Sequence, residues 1–147
     1  MTSAGLYAGG VPATELAAAA GTEVGLDLGQ HRSRRLDVAD VRSADLVLGV
    51  SRGHVREVVV LDPSARAKTF TPPELVRRGT AAGPRPADEP LDRWLARLAS
   101  PRLPADLLGE SAADDIEDPT GQGLNAHRDT LARLGPLVDA LVALACP

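Results

Sequence analysis

Short apolar runs alternate along this chain with stretches of helical periodicity, and that alternation limits its fold more than any other feature. Asp45-Leu46-Val47-Leu48-Gly49-Val50 is a run of strand length bounded by turn residues, the pattern of a buried strand. Residues 67–70 read as a second strand, while residues 1–6 are too short to classify by periodicity and suit a short strand leading to a loop at Gly9-Gly10. Between and after them lie helical signals. Pro12 followed by alanine-rich residues 13–20 predicts a helix ending at Gly21. Thr71-Pro72-Pro73-Glu74 predicts a helix start, with a capping Thr, first-turn prolines and an early carboxylate, running to about Arg78. Leu91, Trp94, Leu95 and Leu98 repeat at helical spacing, as do Leu124, Leu131, Leu134, Val138 and Leu141. Gly135-Pro136 interrupts this last stripe and predicts a kink. Short strands alternating with helices imply an α/β fold built on a parallel sheet.

Residues 51–63 stay ambiguous on local grounds. Val55, Val58 and Val59 have helical spacing and Ser51 suits a cap, while Val58-Val59-Val60-Leu61 alone suits a strand. A short helical turn is expected near residues 37–42 and another turn near Leu107. Residues 80–90 are rich in Ala, Gly and Pro and read as a mobile surface loop.

At 147 residues the chain fits one domain. Its core must come from Leu, Val and Ala, since it holds one Trp, one Tyr and one Phe. The net charge of −4 argues against nucleic acid or an anionic membrane as partner. No apolar run approaches the ~18 residues of a membrane span, and the start has no secretory pattern, so the expected location is the cytoplasm. The lone Cys146 forms no intramolecular disulfide and no Cys-rich metal site.

The densest polar cluster is Asp114-Asp115-Ile116-Glu117-Asp118-Pro119, which has three readings. It can be a solvated acidic loop, or a magnesium–diphosphate motif, although Pro119 and the short chain oppose that. It can also present a single aspartate as a general acid, because a proline biases the residue before it towards extended geometry. His31-Arg32-Ser33-Arg34-Arg35 is a basic run able to fork onto an anion, though such runs are more often solvated faces. His54 and His127 lack partners at metal-ligand spacing, Gly121-Gln122-Gly123 lacks the rest of a dinucleotide loop, and Cys146 has nothing in sequence to activate it. No cofactor and no metal are expected.

Several of these segments, in order, resemble the low-molecular-weight protein-tyrosine-phosphatase family. Thr2-Ser3-Ala4-Gly5 looks like the family's second strand, and His31-Arg32-Ser33-Arg34-Arg35-Leu36 like its HxSRxL stretch. Residues 37–50 resemble its helix-to-strand step. Residues 51–63 resemble the helix that follows, which tips the ambiguity there towards helix. Asp115-Ile116-Glu117-Asp118-Pro119 resembles the late DP loop before the C-terminal helix. The resemblance implies a three-layer α/β/α fold with a small parallel sheet, as in phosphotyrosine protein phosphatase I. It also implies phosphomonoester hydrolysis through a phosphocysteine, with a Cys-x5-Arg loop as nucleophile and phosphate cradle. By position, Asp118 would be the general acid that protonates the leaving oxygen.

The chain departs from that pattern in two places. It contains no Cys-x5-Arg, and Thr120 stands where the family usually has a pocket-lining aromatic residue. The resemblance therefore implies a domain over residues 1–147 that is incomplete at its N-terminus, without the first strand and phosphate loop, and inactive as it stands. One account is a start assigned too far downstream, in which case a phosphotyrosine protein or small aryl phosphate is the expected substrate. The other is a non-enzymatic binding or oligomerising relic, whose open sheet edge pairs with a partner or a second copy. Arsenate reduction, performed by some members of the fold, needs more cysteines than one.

Overall fold

Hydroxyl side chains set where three of the helices begin. Thr14, Ser51 and Thr71 each sit in extended backbone and accept a hydrogen bond from the N–H three residues on, at 3.2, 3.3 and 3.3 Å. The computed structural model describes residues 2–7 and 9–146. Its elements run α1 (Glu15–Glu23), α2 (Val38–Ser43), β1 (Val47–Leu48), α3 (Arg52–Leu61), β2 (Thr69–Phe70), α4 (Pro72–Ala82), α5 (Leu91–Ala99) and α6 (Leu124–Ala145). Short 3-10 segments lie at Pro63–Lys68 and Pro104–Leu107. The chain thus has the α/β class expected of it, with a small parallel sheet in which Val47 pairs with Thr69 and Leu48 with Phe70.

Residues group into two compact units. The larger holds residues 38–117 and the second half of α6. Its core is Phe70, Leu75, Trp94, Leu95, Leu98, Ala99 and Leu141, flanked by Leu46, Val76, Leu91 and Leu144. The 91, 94, 95 and 98 stripe therefore faces inward as its period requires. A buried ion pair lies beside this core: Arg102 forks onto Glu74 at 2.9 and 3.0 Å and stacks over the Phe70 ring at 4.5 Å. Burial pushes the Arg102 guanidinium down, against the opposing pull of Glu74.

One local expectation holds within this unit and three change. Residues 51–61 are helix, as the resemblance implied. The run over residues 45–50 is not fully buried: Leu48 is 44% exposed and Val50 41%. Among the described residues β1 pairs with β2 alone, so its other edge is open. α4 does not stop near Arg78. Gly79 is buried within it, because a side chain there would meet Leu144 and Trp94 at 3.1 and 3.3 Å, and the helix ends only at Gly83 with φ +85°. The segment 83–90 is tied down: Arg85 donates from its N–H to Leu144 (2.8 Å) and from Nε to Ala145 (2.7 Å). Arg97 also pairs with Glu89 at 2.8 Å.

The smaller unit holds the first 37 residues together with residues 118–135. Here α1 starts three residues beyond Pro12, since Thr14 is the cap and Pro12 instead bridges Arg32 antiparallel. Gly21 lies inside α1 and packs on Leu28. The strand expected over residues 2–5 reduces to a single parallel bridge at Gly5 and Arg35. A strand needs a partner along its length, and only Gly5 finds one, through Gly5 N–H to Arg34 and Leu36 N–H to Gly5, each 2.8 Å. Arg128, in the first half of α6, forks onto Glu23 at 2.6 and 2.8 Å. α6 runs through Pro136 without ending there.

Candidate functional site

The aspartates of the acidic cluster lie in different surroundings. Asp114 is buried, and its carboxylate takes hydrogen bonds from Arg52 (Nη2 at 2.8 Å, Nε at 3.1 Å) and from Arg77. Burial alone would push this carboxyl up. The hydrogen bonds from Arg77 and Arg52 together outweigh burial and hold it below the ordinary carboxylate range. Asp115 accepts the Arg52 N–H at 2.7 Å and the Ser111 N–H at 2.8 Å, which places a carboxylate on the first turn of α3. Ile116 is buried and donates its N–H to the Val50 carbonyl at 2.8 Å. Asp114 and Asp115 are therefore anchors: Asp114 ties the loop to α3 and α4, and Asp115 ties it to α3 and to its own Ser111.

Asp118 lies in different surroundings. It is exposed, and its Oδ1 accepts the Thr120 N–H at 2.9 Å, an Asx turn that orients the carboxylate. Gln122 closes the turn, donating its N–H to the Pro119 carbonyl at 3.0 Å and Nε2 to the Asp118 carbonyl at 3.2 Å. Gly121 has φ +80°, which a side chain disfavours, so the first glycine of Gly121-Gln122-Gly123 is a turn requirement. The next element is α6, and His127 in its first turn is buried with Nδ1 3.2 Å from the Gly123 carbonyl.

The Asp118 singled out in the sequence is exposed in this turn, and sequence reasoning missed that Asp114 is clamped by Arg52 and Arg77. No local signal shows that link, because the partners are 62 and 37 residues away. Among the described residues no group of three or more His, Cys, Asp or Glu is placed to hold a metal ion. Cys146 is exposed, just after α6. A thiolate is favoured at a helix N-terminus, and this cysteine lies at the opposite end.

The backbone has the α/β fold of the low-molecular-weight protein tyrosine phosphatases, and solved structures of that family are what the chain is similar to. A low-molecular-weight protein tyrosine phosphatase from T. tengcongensis is 29% identical over 96% of this chain and 74% of its own, with a TM-score of 0.67. The YwlE arginine phosphatase from Geobacillus stearothermophilus is 27% identical over 95% and 70%, also at 0.67. A YwlE mutant from Bacillus subtilis is 25% identical over 94% and 71%, at 0.64. No protein-family model matches the chain, and no curated protein does.

Proposed function

We propose that these residues form the acid-bearing part of a phosphomonoester phosphatase, with Asp118 as proton donor, and that they do not turn over substrate unaided. In this reading the substrate class is an aryl phosphate such as phosphotyrosine. A thiolate attacks phosphorus, the S–P bond forms as the P–O bond breaks, and Asp118 passes its proton to the departing phenolic oxygen. That oxygen has a pKa near 10, so departure at neutral pH needs the proton. The turn over residues 118–122 supports the acid's role by fixing an exposed carboxylate. The observation that carries the conclusion is the cysteine count. The one cysteine is Cys146, and no Cys-x5-Arg occurs in the 147 residues. A nucleophile has to come from outside them. A cytoplasmic location belongs to the same reading, and it fits a chain whose single thiol makes no internal disulfide.

The test is hydrolysis of p-nitrophenyl phosphate and of a phosphotyrosine peptide by the purified 147-residue protein. The expected result is no turnover above buffer. Turnover that persists in a Cys146→Ser variant would overturn the proposal.

A second reading is a non-enzymatic partner protein, and the open edge of β1 favours it. β1 pairs on one side only among the described residues, and Leu48 on it is exposed. Light scattering should then give a mass above 15.3 kDa that Leu48→Lys returns to the monomer value. A monomer at all concentrations would sink it.

A further inference from the structure

The basic run in the smaller unit is a built surface, and the phosphatase reading makes no use of it. Its backbone is fixed on both sides. Ser33 donates its N–H to Val11 (2.8 Å) and accepts from Gly10 (2.6 Å), and Gly5 joins Arg34 and Leu36. Gly9 packs so closely against Ser33 and Arg34 that a Cβ there would come within 2.8 Å of backbone. The side chains are held out from this frame. His31, Arg32 and Arg35 are exposed. Arg32 uses Nη1 on the carbonyls of His31 and Gly29, at 2.7 and 3.2 Å, which are neutral groups. Several other arginines meet carboxylates, Arg42 with Asp62, Arg52 and Arg77 with Asp114, Arg97 with Glu89, Arg102 with Glu74 and Arg128 with Glu23, while Arg56, Arg66 and Arg85 donate to backbone carbonyls. Among the described residues neither Arg32 nor Arg35 pairs with a carboxylate, on a chain whose net charge is −4.

We propose that this extended basic segment, with Arg32 and Arg35 as its contacts, is a docking surface for an acidic stretch of another polypeptide. Two physical arguments choose that partner. A single phosphate is best held where several backbone N–H groups converge on it. Here the N–H groups of His31, Ser33 and Leu36 are already bonded to Leu28, Val11 and Gly5, so these three cannot converge on one anion. Arg32 and Arg35 stand three residues apart, a span of about 10 Å in extended chain, which suits carboxylates distributed along a peptide. A long polyanion such as DNA would feel the net charge of −4 over its whole length. A short acidic peptide feels mainly charges within a Debye length of about 8–10 Å.

The experiment uses the full 147-residue chain and a fluorescein-labelled ten-residue poly-glutamate peptide, read by anisotropy at low salt. Binding is expected, and it should weaken as salt rises. The Arg32→Glu/Arg35→Glu double variant should weaken it by about tenfold or more. Arg32→Lys/Arg35→Lys should keep most of it, and Arg93→Glu, an exposed arginine on α5, should leave it unchanged. An unchanged circular dichroism spectrum shows that the double variant is folded. Three results would overturn the proposal: no binding at low salt, equal loss with Arg93→Glu, or tighter binding of a single-stranded DNA of equal charge. Competition by inorganic phosphate below 1 mM would also overturn it, since that marks a single-anion site.

Discussion

Asp114 concentrates more charge chemistry than any other side chain in the cluster, at 3% exposure and with two arginines upon it. Its folded-state pKa lies below the unfolded value of about 3.9. The ion pairs therefore stabilise the fold at pH above that value, and the contribution is lost as pH falls through the folded pKa. Asp114→Asn should cost about 2–4 kcal/mol at pH 7, because it leaves two arginines beside a neutral group. It should also flatten the loss of stability on acidification below pH 4. Urea melts at pH 7 and pH 3 check both, and an unchanged midpoint at pH 7 would contradict the assignment. Gly9 makes a different demand. Gly9→Ala forces a Cβ against the backbone of Ser33 and Arg34 and should destabilise by about 1–3 kcal/mol. At this scale the sequence showed the residue types but not their partners. The DP dipeptide marked Asp118 because proline acts on its neighbour, whereas nothing near Asp114 in the chain indicates Arg52 or Arg77.

Helix starts were readable because capping is a local matter of a hydroxyl and the N–H three residues on, and Ser51 and Thr71 serve as expected. α3 carries a second support that is not local. Asp115 accepts the Arg52 N–H, so Asp115→Ala should cost about 1–2 kcal/mol, as loss of a cap does. Thermal melts of Asp115→Ala and Ser51→Ala would show comparable drops, and no drop for Asp115→Ala would remove it from the cap. α6 makes the opposite case. Pro136 is exposed inside the helix, where it offers no N–H. Pro136→Ala should stabilise by about 1–3 kcal/mol, and a lower melting temperature would refute this. Ends and exposures were less legible. The helix expected to end near Arg78 continues through Gly79, which is buried against Trp94, and the loop that looked mobile is bound through Arg85 to Leu144 and Ala145. Both depend on residues more than a dozen positions away.

For the whole molecule, the order of the short motifs carried the fold, which the solved phosphatases share over most of this chain. None of its helices is long and apolar enough, among the described residues, to cross a membrane. The α/β class, the helical stripe of α5 and the helix starts at Ser51 and Thr71 follow from periodicity and capping, which act within a few residues of sequence. The lack of a Cys-x5-Arg motif is likewise a property of the string of residues itself. The tertiary arrangement determined which aspartates are anchors and which is displayed. It also left β1 with an open edge, and it drew arginines from α3 and α4 onto one buried carboxylate. Those outcomes rest on contacts between distant segments, and the free energy of such a contact depends on burial that no local window contains.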